Sequence, residues 1–133
     1  MKSALLVLAL FLVGCGGGNN AVVAPPNITG SWSLVATSTA FPGIVTDGTG
    51  QLTQTGTAIS GTLLLTGSPC SSSGPVTGTV IGTSLNASLS ENGQDVVFLG
   101  TVAGNGSSAS GTYTAAAGGC TNGDKGNWTG SRK

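Results

Sequence analysis

The chain has 133 residues, of which 6% are charged and none is histidine. Soluble domains carry roughly a quarter charged residues, so Thr, Ser, Gly and Asn must supply the polar surface. Four Lys and Arg stand against four Asp and Glu, which leaves no basic patch for nucleic acid, and the lack of His removes His-dependent triads and His metal sites.

Met1 and Lys2 form a short positive start, and residues 4–13 are an apolar run. Ten residues are too few to cross a bilayer, which takes about 20 in a helix, but they suit the apolar segment of an export signal. The run closes on Leu12-Val13-Gly14-Cys15, which resembles the lipobox of bacterial lipoproteins. That resemblance implies that residues 1–14 are a signal-peptide helix removed before Cys15, and that Cys15 carries a diacylglycerol, with acylation of the new amino terminus. Each buried CH₂ contributes about 0.8 kcal/mol, so two or more chains hold a protein stably on a membrane. Gly16 follows the Cys where Asp would signal inner-membrane retention. The expected location is therefore the bacterial cell envelope, lipid-anchored, with the outer membrane favoured.

Cleavage before Cys15 leaves 119 residues, enough for one domain. Residues 15–27 are the lipidated Cys and a tether: Gly16 to Asn20 is flexible, and Pro25-Pro26 stiffens the approach to the domain. No Lys-Ser/Thr pair follows these glycines, so they are not a phosphate loop.

From residue 28 to 133 the pattern is period two, broken by Gly and Asn turns. Trp32, Leu34 and Ala36 share a face, as do Leu85, Ala87 and Leu89, then Val96, Phe98, Gly100 and Val102, then Ala109, Gly111, Tyr113 and Ala115. The expected fold is all-β, a small antiparallel up-and-down barrel of about eight strands, with a β-sandwich as the alternative. The strands are expected near 30–37, 48–54, 57–66, 75–82, 84–90, 95–103, 107–115 and 125–132. Gly-Thr recurs at 61–62, 78–79, 100–101 and 111–112. A Gly inside a strand permits tight coiling, which suits a small barrel.

Successive connections then lie at alternate ends. Short turns at Gly56, Gly82 and Gly104 share one end with the tether. The third and seventh connections, carrying Cys70 and Cys120, share the other end with Phe41-Pro42-Gly43-Ile44. With Cys15 assigned to lipid, Cys70 and Cys120 remain as an even pair in an exported chain, and a disulfide is expected. Its loop of about 50 residues contributes about 4 kcal/mol in the chain-entropy account.

Ile28-Thr29-Gly30-Ser31-Trp32 resembles the first strand of calycins, the group of lipocalins and avidins. The resemblance implies a barrel whose closed end is packed by Trp32, with Arg132 lying across it. It supplies no ligand-binding residues, since the aromatic cage of avidins has no counterpart here.

No catalytic, metal or cofactor site is expected. Asp47, Glu91, Asp95 and Asp124 fall in or beside turns, and the 91–95 spacing fits no EF-hand loop. Asp124-Lys125 reads as a surface pair, and Ser71-Ser72-Ser73 lacks a general base. The Asn-x-Ser/Thr triplets at Asn27, Asn86, Asn105 and Asn127 read as chance in so Ser- and Thr-rich a chain. A membrane-spanning barrel needs aromatic girdles, and the five aromatics after residue 27 are too few. The leading expectation is a monomeric, non-enzymatic barrel that binds a small apolar ligand. The alternative is a structural or adhesive surface module that contacts other envelope proteins. A barrel filled by Trp32, Leu63, Phe98 and Trp128 would argue against the ligand.

Overall fold

The computed structural model describes residues 18, 23–67, 73–91, 94–118 and 122–133. The expected signal peptide (1–14) and the three cysteines lie outside these residues, as does most of the expected tether (15–27). Eight antiparallel strands follow one another: β1 (Gly30–Ser38), β2 (Val45–Thr55), β3 (Ala58–Thr66), β4 (Ser73–Ile81), β5 (Ser84–Glu91), β6 (Gln94–Val102), β7 (Ser108–Ala115) and β8 (Lys125–Arg132). Each pairs with the next, and β8 returns to β1, so the sheet is a closed up-and-down barrel. Closure leaves no strand edge, and the sandwich alternative is set aside.

The period-two pattern explains which side chains enter the barrel. Trp32, Ala36, Ile59, Leu63, Leu85, Leu89, Phe98 and Trp128 point inward and are buried. Their neighbours in each strand, mostly Thr and Ser, face out. Strand direction sorts the connections by end. The base carries the turns at 56–57, 82–83 and 103–107 and receives the chain at residues 23–29. The mouth carries the connection at 39–44 and those between β3 and β4, β5 and β6, and β7 and β8.

β2 begins at Val45, three residues before the expected start. Asp47-Gly48 reads locally as a turn, yet Asp47 pairs with both Val35 and Thr66 inside the sheet. Asp47 is therefore an outward-facing strand residue. Gly48 faces in, and a Cβ there would come within 3.1 Å of Leu65 and 3.3 Å of Leu34. The glycine leaves room for two leucines.

The recurrent Gly-Thr pairs place Gly inward and Thr outward. A Cβ on Gly61 would stand 2.0 Å from the Gln51 carbonyl oxygen, and one on Gly111 1.9 Å from that of Leu99. Neighbouring backbone occupies the space a side chain would need. This close approach is what the expected tight coiling demands.

Candidate functional site

Three regions concentrate distinctive chemistry: the barrel interior, its base and its mouth. The interior holds an aromatic cluster among aliphatic residues. Phe98 meets Trp128 edge-on, with ring centroids 5.9 Å apart, and lies 6.2 Å from Tyr113. Trp128 packs against the wall at Gly100, where a Cβ would approach its ring to 2.8 Å. Its Nε1 donates to the carbonyls of Thr112 (3.1 Å) and Leu99 (3.3 Å), so the indole is buried with its polar handle satisfied.

Among the described residues, a cavity of about 70 Å³ lies in the interior, lined almost wholly by carbon from residues such as Ile28, Leu52, Ile59, Leu63 and Phe98. Ligand pockets typically span about 300–1,000 Å³, and a dry apolar cavity that admits benzene is about 150 Å³. An eight-stranded barrel is just wide enough to be filled by side chains or to hold one small guest. Trp32, Leu63, Phe98 and Trp128 are all inside and buried, and share the interior with the other residues of the hydrophobic core.

The base is closed by the chain itself. Ile28, 1% exposed, tucks into the core just before β1. Its carbonyl accepts a 2.7 Å bond from Trp32 Nε1, and its N–H donates to Gln54 Oε1 at 3.0 Å. Arg132 pairs with Trp32 in register and donates from one guanidinium nitrogen to the carbonyls of Asn27 (3.1 Å) and Thr29 (3.4 Å). Gly30, at φ 137°, makes this possible: a Cβ there would press on Arg132 Cδ at 3.2 Å. Trp32 and Arg132 thus meet at a closed barrel end, the arrangement the calycin resemblance implies.

The mouth holds a hydroxyl–carboxylate network that sequence reasoning missed. Asp124 accepts from Ser38 Oγ at 2.5 Å and from Tyr113 Oη at 2.9 Å. Ser38 Oγ in turn accepts the Phe41 N–H at 2.8 Å. Burial, and then the hydrogen bond to Asp124 and its charge, push the Tyr113 hydroxyl up to about 12. Asp124 is therefore a half-buried acceptor that ties the β7–β8 connection to β1, in place of the expected surface pair with Lys125. The signal was the lone Tyr at an inward position, since a buried hydroxyl requires a partner. Through these bonds the network fastens the β7–β8 connection to β1.

On the outer wall, Ser31, Thr49, Gln51, Thr62, Leu64 and Lys133 line a shallow depression of about 370 Å³. Gln51 Nε2 donates to Ser31 Oγ across it. Among the described residues, no three metal-ligating side chains come together. Cys15, Cys70 and Cys120, the residues singled out for lipid and disulfide, lie outside the described residues. Glu91 closes β5, and Asp95 is the second residue of β6, opposite Ser90. Comparison with known protein families, curated proteins and solved structures finds no match to the chain.

Proposed function

We propose that this chain is a bacterial envelope lipoprotein, held by lipid on Cys15, whose filled barrel is a non-enzymatic structural or adhesive module. The observation that carries the second half is the packed interior. A cavity of about 70 Å³ is well below the volume that drug-sized ligands occupy. What the protein offers to other molecules is its wall of Thr and Ser and the loops of its mouth, with Phe41 44% exposed at the tip of one of them. The lipobox resemblance supports the anchor, the export route and an oxidised Cys70–Cys120 pair. The wholly apolar cavity supports a second reading, in which a very small apolar guest occupies it.

Native mass spectrometry of the delipidated protein from its own host separates the two. The expected result is a clean apo mass; a reproducible co-purifying small molecule overturns the structural reading. Separately, Cys15→Ser should move the protein out of the membrane fraction. A variant that still sediments with membranes overturns the anchor.

A further inference from the structure

The seven charged residues after position 27 divide by barrel end. Asp47 lies near the mouth end of β2, Glu91 ends β5 there, Asp95 lies at the mouth end of β6, and Asp124 and Lys125 flank the start of β8. The base carries Arg132, and Lys133 follows it at the base end of the outer wall, beside Ser31 and Gln51; both are exposed. The base turns at 56–57, 82–83 and 103–107 and the incoming residues 23–29 contain no charged residue. One end is thus net negative and the other net positive, in a chain with very little charge to distribute.

The base is also the end at which the tether arrives. Arg132 is held across it by the carbonyls of Asn27 and Thr29, and Lys133 is fixed by its backbone N–H bond to the Ser31 carbonyl at 2.9 Å. Ile81, 66% exposed, ends β4 on the same side. A positive face with an exposed aliphatic residue, at the anchored end, matches an anionic lipid surface, and the negative mouth is repelled by one.

We propose that the base, through Arg132 and Lys133, docks on anionic lipid headgroups and so holds the barrel upright with its mouth turned to solvent. The inference rests on the lipid-anchored reading. Each Lys or Arg close to an anionic membrane strengthens association about fivefold (about 1 kcal/mol). The attraction acts only within about 8 Å at physiological ionic strength, so it demands that the base lie on the surface.

The test uses the lipidated protein purified from its host and placed in vesicles of phosphatidylcholine, with or without about 30% phosphatidylglycerol as the anionic lipid. Amide hydrogen exchange at 56–57, 82–83 and 103–107 is expected to slow at least about fivefold in the anionic vesicles, with 39–44 unchanged. The difference should vanish in about 1 M salt, where screening acts within about 3 Å, and shrink in Lys133→Glu. That variant changes an exposed residue beyond the last strand and leaves the core untouched. Equal exchange in both vesicles, or slowing confined to 39–44, overturns the docking face while leaving the anchor standing. Failure to float with either vesicle overturns the anchor and the orientation that depends on it.

Discussion

Tyr113 is the only tyrosine of the chain, so its hydroxyl can be titrated without interference. It is 7% exposed and bonded to Asp124, and its pKa stands at about 12 against an ordinary 10.0. Above pH 10 the unfolded chain loses this proton before the folded one does. The stabilisation is therefore complete below pH 10 and is lost as pH rises towards 12, by about 2 kcal/mol in total. Tyrosinate absorbance should rise with a midpoint near 12, and Asp124→Asn should bring the midpoint down; a wild-type midpoint near 10 would refute the network. In Tyr113→Phe, the extra loss of stability between pH 10 and 12 should disappear. The inward position of Tyr113 was legible from period two, as was its need for a partner. Its partner was not, because Asp124 lies 11 residues away along the chain and looks locally like a mate for Lys125.

At the level of the strands, all eight expected elements exist, and six of the eight starts fall within one residue of expectation. Alternation and Gly turns carry that information locally. The misplaced start of β2 has a non-local cause: Val45, Thr46 and Asp47 become strand because Thr37, Ala36 and Val35 of β1 lie opposite them. Glycines in the strands and in the turns make contrasting demands. Gly61→Ala drives a Cβ into the Gln51 carbonyl, and a shift of the β2–β3 pair is expected to cost about 3 kcal/mol. Gly104 has open space around its Cβ position, so Gly104→Ala should stay within about 0.5 kcal/mol of wild type. Urea unfolding of the two variants checks both. Equal midpoints would show that β2 and β3 do not approach as closely as the structure has them.

For the whole molecule, the decisive quantity is how far the interior is filled. Leu63 lines the remaining cavity, and Leu63→Ala is expected to cost about 2–5 kcal/mol. The enlarged space would approach the roughly 150 Å³ that accepts benzene, so saturating benzene should raise the melting temperature of Leu63→Ala and leave wild type unchanged. A wild-type protein stabilised by benzene would favour the small-guest reading. Period-two alternation, turn glycines and the absence of helical patterning were enough to establish an all-β chain of eight strands, because strand identity depends on neighbours along the chain. The Gly-x-Trp start and late Arg132 also pointed to one closed end. Whether the sheet closes, how much space it encloses, that Ser38, Tyr113 and Asp124 form one network, and that charge separates by end were decided only by the tertiary structure. Those properties depend on which strands lie across from one another and which end each reaches, and residues far apart in the chain acquire that relationship only when β8 pairs with β1.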